Sequence, residues 1–503
     1  MEFKKKRIRK GPAPSARPKK IKVIKEKRPK TNRPNPLARF VKGHYVWASI
    51  IVVVLVAMGK MAWNIATLAE EFSIKEVVLS AFSEKIKTDE DNHTNILLLG
   101  TGTETHDGAN LTDTIIVASI DHDTNWVSML SIPRDLYIEI DELYGGNRIN
   151  SIFELYAEQE IYTNDTDEDL AYEMSYELLT NTVSEVLDIP IHYYARINFN
   201  GFVDVVDAIG GVDVEVETDI YDPYYPAEDG TINYQVFSIQ SGLQHLDGAT
   251  ALKYVRSRKT TSDFDRAARQ QQTIQAIKDK ALSLGVLANP NRLKNIYDAV
   301  DKNFDTNMAW DEMAYVAKIS DKFTSDKMAS WVLNDNPLTT GGFLYTPERE
   351  YYGGNFVLLP YVEDYSDIQK FADLVLMHPE VHGTSLTYQV TNGTTSNGIA
   401  TETLYYLGRF GFDIVRYGNA ANRDLVVSRL IPVSALMSGQ PAENATTQTQ
   451  LSYLMEEFIP VGFATPEVPA EYLPAEWTTE ADVILELGAD YVDWMNLNLQ
   501  HFY

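Results

Sequence analysis

Asn95 to Ile138 reads "NILLLGTGTETHDGANLTDTIIVASIDHDTNWVSMLSIPRDLYI". It contains three apolar runs with different endings. Asn95–Gly100 is a short apolar run closed by glycine, the pattern of a buried strand. Thr114–Asp121 and Trp126–Ile132 are two more, and the polar "HDTN" between them predicts a hairpin. Downstream, Leu170, Met174, Leu178, Val183 and Leu187 recur with helical spacing over Asp167–Leu187. Tyr193–Phe199 reads as a strand, Gly201–Gly211 as a helix stopped by a glycine pair, and "VDVEV" as a further strand. "DGATALKYV" is a helix, and a longer one runs from Asp263 to about Leu284. Strands and helices interleaved in this way predict a layered domain of α/β or α+β type.

Beyond Leu284 the pattern gives helices near 291–302 and 310–322, then the strand "MASWVLN". A loop rich in Gly, Pro and Tyr (336–360) and a helix near 364–377 follow. "HPEVHGTS" then reads as a linker. From Thr384 a strand, a glycine-containing turn, a helix and a strand predict a small second α/β domain, with "ADVILELGADY" near its end as a further strand.

The 503 residues are enough for more than one domain. There is no cysteine, which excludes disulfides, thiolate metal sites and a cysteine nucleophile. Lys+Arg 44 against Asp+Glu 71 give a net charge of -27, yet residues 1–43 hold 17 Lys/Arg and only two Glu. The next segment, Tyr45 to Ala69, is apolar apart from Lys60, Asn64 and a few small polar residues. A bilayer core needs ~20 such residues, so 44–69 is expected to be a transmembrane helix and 70–92 a helical stalk. The basic arm then sets topology, with the N-terminus cytoplasmic and the folded mass outside. It reads as a disordered tail touching anionic lipid. Nucleic-acid binding lacks support, since no helix-turn-helix pattern or aromatic interleaving accompanies the charge.

No G-x-S-x-G elbow, P-loop or G-x-G-x-x-G is present, and the nine histidines form no H-x-x-x-H pair on a stretch read as a helix, since His378 and His382 fall in "HPEVHGTS". The chemistry-bearing groups that remain are arginines and aspartates. "YVRSRKTTSDFDRAARQQQ", Tyr254 to Gln272, packs four arginines into an acidic chain. Arg256 and Arg258 would share a face of an extended strand end. Asp263 opens a helix on which Arg266, Arg269 and Gln270 stack. A helix N-terminus with guanidinium groups suits a diphosphate, whereas pairing with Asp247, Asp263 and Asp265 would make the same cluster purely structural. Arg134 ends the strand before "PRD", either as a site residue or in a turn salt bridge with Asp135. Asp113 begins a buried strand, and Asp107 lies with His106 in the loop before it. Two carboxylates there could hold Mg²⁺, or Asp113 could cap backbone groups and Asp107 be an ordinary turn residue.

These blocks, in this order behind one span, resemble the LytR-CpsA-Psr family of cell-envelope proteins. The match is carried by "NILLLG…TDTIIVASI", "VSMLSIPRDLYI", "RIN", "YYARINFNGFVDVVDAIGGVDVEV" and "GLQHLDGATALKYVRSR…SDFDRAARQQQ". Residues 384–503 look like the LytR C-terminal accessory domain. The resemblance implies a layered α/β/α catalytic domain around a mixed central sheet, at 93–377. It also implies a phosphotransferase that takes a glycan polymer from a polyprenyl-pyrophosphate carrier and joins it by a phosphodiester to the wall, usually peptidoglycan. Arg134, Arg256, Arg266 and Arg269, with Arg258, Gln270 and Arg148, would hold the pyrophosphate. Asp113 would bind Mg²⁺ or Mn²⁺, and Asp263 would orient arginines or accept the acceptor's proton. Phe202, Val206 and Ile274 are candidates to line a groove for the lipid tail. Two positions depart from the family pattern. Gly102 stands where an aspartate is usual and Leu111 where an arginine is common, with Asp107 a candidate substitute carboxylate. The Gly102 departure leaves a second expectation, a non-catalytic lipid- or glycan-binding protein.

Overall fold

Alternation along one strand explains the central layer. In β1 (His93–Thr101), Ile96 and Leu98 face one side and Leu97 and Leu99 the other, and all four are buried. A strand covered on both faces reads as an unbroken apolar run, as "NILLLG" does. β2 (Thr112–Asp121) pairs antiparallel with β1 and with β3 (Val127–Ile132). The predicted turn between β2 and β3 is capped by Asp121, whose Oδ1 accepts from the backbone of Asp123 (2.8 Å) and Thr124 (3.0 Å). β6 (Tyr193–Asn198) lies parallel to β1, and β12 (Met328–Val332) parallel to β3. With β11 (Phe304–Thr306) they form a mixed sheet in the order β11-β6-β1-β2-β3-β12.

The structure is a computed structural model that describes residues 86–503 except 104–109, 227–233, 258–262, 284–301, several positions between 310 and 326, 384–385, 433–457, 460–479 and 499–503. The predicted basic tail, the span at 44–69 and most of the stalk therefore lie outside the described residues. Among those described, no helix is long and apolar enough to cross a membrane. Residues 86–92 are not helical. Ile86 is buried in the core, and the Lys87 backbone N–H donates to the Tyr193 hydroxyl at 2.7 Å.

Helices cover both faces of the sheet. On one side lie α3 (Phe199–Ala208), α4 (Gly248–Arg256) and α5 (Asp263–Ser283), through Val205, Tyr254 and Ile277 among others. On the other lie α1 (Ile152–Tyr162), α2 (Glu168–Leu187) and α6 (Ser366–Ala372). The buried face of α2 is set by Tyr176, Leu179, Val183 and Val186, whereas Leu170 is exposed. Leu170 sits in the first turn, off the buried stripe, so periodicity chose a partly wrong stripe. α3 is capped by Asn198, whose side chain accepts from Gly201 N, and ends at Gly210 and Gly211, both with φ near +80°. Small hairpins missed by the sequence reading surround this frame. They are β4 (Tyr137–Ile140) with β5 (Gly145–Arg148), β8 (Ile220–Pro226) with β9 (Tyr234–Ile239), and β13 (Leu344–Tyr345) with β14 (Leu359–Pro360). The strand read at "VDVEV" is β7 (Val212–Val216), paired with β10 (Gly242–Leu246).

A second sheet, in the order β16-β15-β18-β17, is built from β15 (Thr387–Asn392), β16 (Asp413–Asn419), β17 (Arg429–Pro432) and β18 (Val483–Leu487). α8 (Ile399–Arg409) and α9 (Ala489–Asn498) pack on it. The stretch read as a linker contains the short helix α7 (Glu380–Gly383), with Val381 buried. His382 sits 4.9 Å from the Trp331 ring and 5.5 Å from Phe412, and burial lowers its pKa to about 4. Phe410 at the end of α8 meets Phe343 (4.9 Å) and Phe458 (4.6 Å), and Phe371 packs 5.1 Å from Phe343. One apolar core thus runs across both predicted domains. Phe410→Ala should cost about 3–5 kcal/mol and lower one common unfolding transition. Calorimetry showing two transitions, only one of them moved, would contradict a shared core.

Candidate functional site

Gly100 ends the regular part of β1 because Thr114 crosses it closely; a Cβ there would lie 2.9 Å from Thr114 Cβ. The ladder shifts register at Gly100/Thr101, and β2 opens into a polar cavity of about 300 Å³ at the sheet edge where β1, β3 and β12 end. Asp113, Arg134, Asp135, Arg266 and Gln270 line this cavity.

Arg134 is fixed by two carboxylates. Its Nη1 donates to Asp113 Oδ1 (2.8 Å) and its Nε to Asp135 Oδ2 (3.4 Å). Asp135 is buried, and its other oxygen accepts from Arg148 Nη1 at 3.3 Å. The turn pairing of Arg134 with Asp135 and its place in the site are therefore both present. Asp113 also accepts from Asn150 Nδ2 at 3.1 Å. Burial would raise the Asp113 pKa, but the charge and hydrogen bond of Arg134, the Asn150 amide and the charge of Arg266 outweigh it, so the carboxyl titrates below its ordinary value.

α5 divides its polar residues by angle. Arg266 and Gln270, four apart, both face the cavity. Arg269 is turned about 100° from Gln270 and is buried. Its Nε donates to the Tyr254 carbonyl (3.0 Å) and its Nη2 to that of Ser257, and burial lowers its pKa. Arg269 lines neither cavity; it ties the end of α4 to α5. Gln271 donates to Ser131 Oγ at 2.9 Å, and Gln272 accepts from the Tyr254 hydroxyl at 2.7 Å. Arg256 terminates the helix α4, not the strand end expected from its spacing, because the helix persists one residue past "ALKYV". Its guanidinium lies 4.1 Å over the Phe199 ring, and its Nη1 donates to the Tyr225 hydroxyl at 3.4 Å. Arg258 and Asp107 lie outside the described residues, as does the side chain of Asp263, which begins α5.

A second cavity, of about 130 Å³ and lined almost wholly by carbon, adjoins the first. Phe202 and Ile274 line it, as expected for a lipid groove, while Val206 is packed in the core behind it. Thr114, Ile116 and Gln270 belong to both cavities, and Arg256 stands on the wall of the apolar one.

Three contributors were missed: Asn150, Asp135 as the carboxylate that fixes two guanidiniums, and Arg196. Arg196 donates to Thr101 Oγ1 (3.2 Å), the Tyr176 hydroxyl (3.0 Å) and Asn110 Oδ1 (3.1 Å), and sits 5.3 Å over Phe153. It thereby holds residues on either side of the loop that precedes Asp113. Its signal in the sequence was an arginine inside a strand. Among the described residues no group of three or more His, Cys, Asp or Glu is arranged to hold a metal ion. Asp113 fits the lesser requirement of Mg²⁺, which takes one or two carboxylates and completes its shell from phosphates.

The site is thus a carbon-lined pocket joined to one walled by the guanidinium groups of Arg134 and Arg266. The chain belongs to the LytR_cpsA_psr family, whose sequence model matches residues 60–353. It is 28% identical over 355 residues to the cell wall biosynthesis protein LcpA of Corynebacterium glutamicum, covering 65% of this chain and 62% of that protein. It is 29% identical to the polyisoprenyl-teichoic acid–peptidoglycan teichoic acid transferase TagU of Bacillus mycoides, covering 52% of this chain and 78% of the relative. The TagV crystal structure from B. subtilis aligns with a TM-score of 0.42 at 24% identity, covering 57% of this chain and 99% of that one.

Asp113 contributes stability that is complete above the ordinary carboxylate range and is lost as pH falls through its lowered folded pKa. Asp113→Asn should therefore flatten the acid limb of a stability–pH profile below about pH 4. An unchanged acid limb would show that the ion pair is not formed in solution.

Proposed function

We propose that this protein is a membrane-anchored phosphotransferase. It would move a glycan polymer from a polyprenyl-pyrophosphate carrier onto a wall acceptor, peptidoglycan, through a phosphodiester. The observation that carries this reading is the junction of the two cavities at Thr114, Ile116 and Gln270. It suits a molecule whose tail is apolar and whose head is a diphosphate. The transferase relatives, named for teichoic acid and peptidoglycan, support a glycopolymer and a wall acceptor. The basic arm and the apolar segment at 44–69 support an anchor with the N-terminus cytoplasmic and the folded mass outside.

Phosphoryl transfer needs positioning and charge neutralisation more than an enzyme nucleophile. The oxygen of an acceptor hydroxyl attacks the phosphorus next to the glycan. The bond from that phosphorus to the bridging oxygen breaks, polyprenyl monophosphate leaves, and the hydroxyl proton passes to a carboxylate, for which Asp263 is the candidate. Arg134, Arg266 and Arg256 hold the phosphate oxygens, with Arg148 and Asp135 keeping Arg134 in place. Arg258 would join them. Mg²⁺ or Mn²⁺, when bound, would neutralise further charge on the diphosphate; Asp113 would hold it, with Asp107 supplying the carboxylate missing at Gly102. Water in place of the sugar would make the same site a pyrophosphatase. Gly102 favours a second reading, in which the pocket binds the lipid or its glycan without turnover.

The test follows release of polyprenyl phosphate and transfer of sugar to wall fragments by the full chain in detergent, with divalent cation. Arg266→Ala and Arg256→Ala should each lower transfer about 100-fold with the melting temperature little changed. Arg269→Ala should instead destabilise the fold by about 3 kcal/mol, because the carbonyls of Tyr254 and Ser257 are left buried without their donor. Tight lipid binding without turnover under any divalent ion would favour the second reading.

A further inference from the structure

The two cavities account for a lipid tail and a diphosphate, but an acceptor saccharide needs a surface of its own. The far wall of the polar cavity is Phe356 and Leu358. Leu358 is stitched to the turn that carries Arg134: its N–H donates to Asp135 O, and Tyr137 N donates to Leu358 O, both at 2.9 Å. Tyr137 therefore stands directly beyond the cavity rim. Its ring lies against the backbone of Gly146, where a Cβ would come within 2.3 Å of it. Tyr352 meets it edge-on, with centroids 4.9 Å apart at 78°. Tyr345 and Tyr361, 5.4 Å apart, stand at the base of the β13–β14 hairpin whose loop carries Tyr352. Tyr361 rests on the buried Arg409, 5.0 Å away at the end of α8. Tyr351, beside Tyr352 in the chain, is 75% exposed.

Two pairs of phenol rings, Tyr137 with Tyr352 and Tyr345 with Tyr361, thus lie on and beside one hairpin at the rim of the polar cavity. The exposed charges on the segments that bear them are mostly acidic, Glu139, Glu348 and Glu350 against Arg349. Such a rim opposes an anionic polymer and an anionic membrane surface. It does not oppose an uncharged sugar, whose C–H faces stack on rings and whose hydroxyls bond to phenols.

We propose that the row Tyr137, Tyr352, Tyr345 and Tyr361 is the subsite for the acceptor, an uncharged pyranose chain of the wall. The role as acceptor rests on the transferase reading above; the affinity for sugar does not. The probe is a soluble β-1,4-linked N-acetylglucosamine tetramer, titrated into the full chain by calorimetry and by saturation-transfer NMR. Wild type should bind it, and Tyr352→Ala should weaken binding about tenfold, as for loss of one stacked ring. Tyr352→Phe should retain most of the affinity. Tyr345→Ala, at a solvent-exposed position of the row, provides a second variant less costly to the fold and should weaken binding in the same direction. In the transfer assay the alanine variants should raise KM for the acceptor. No binding by wild type, or binding and acceptor KM unmoved in both alanine variants, would overturn the proposal. Tyrosine-dependent binding without any transfer would uphold the sugar subsite and remove the transferase reading instead.

Discussion

Positive charges do not gather in a partly buried space unless something opposes their repulsion. Here the opposing group is Asp135, buried beneath the sheet edge and holding Arg134 with one oxygen and Arg148 with the other. Asp113 then takes the far side of Arg134. These two carboxylates fix where the guanidinium groups point before any ligand arrives, which is what preorganised electrostatic stabilisation requires. The register shift that opens β2 and the approach of Thr114 over Gly100 put Asp113 within reach of Arg134. The geometry of the cavity thus follows from a local accommodation in the sheet.

Much of this was legible from one dimension. The strand-ending glycine, the "HDTN" turn and the glycine pair after α3 each have a direct physical cause, and the structure places them as read. The central sheet was legible because strands buried on both faces cannot disguise their composition. What the sequence could not reveal was direction. Arg266, Arg269 and Gln270 look equivalent in a helical run, yet Arg269 turns into the core and donates to two backbone carbonyls. Arg256 looked extended and ends a helix. Asn150 and Arg196 were invisible because their value lies in partners more than thirty residues away. "HPEVHGTS" looked like a linker because its composition is polar, but tertiary contacts with Trp331 and Phe412 decided otherwise.

The apolar and polar cavities lie against two faces of a single helix. α5 presents Ile274 and Ile277 to the carbon-lined pocket and Arg266 to the charged one, with Gln270 at the boundary. A neutral amide suits that boundary, since it offers hydrogen bonds without requiring a counter-charge where the lining turns apolar.

Arg409 touches two regions at once. It lies 5.7 Å from the Phe343 ring inside the shared core and 5.0 Å from Tyr361 at its edge. α8, which carries it, packs directly on the second sheet. A shift of that sheet would move α8 and, with it, the support on which Tyr361 rests. The C-terminal portion thus buttresses the tyrosine hairpin from behind through a single buried guanidinium.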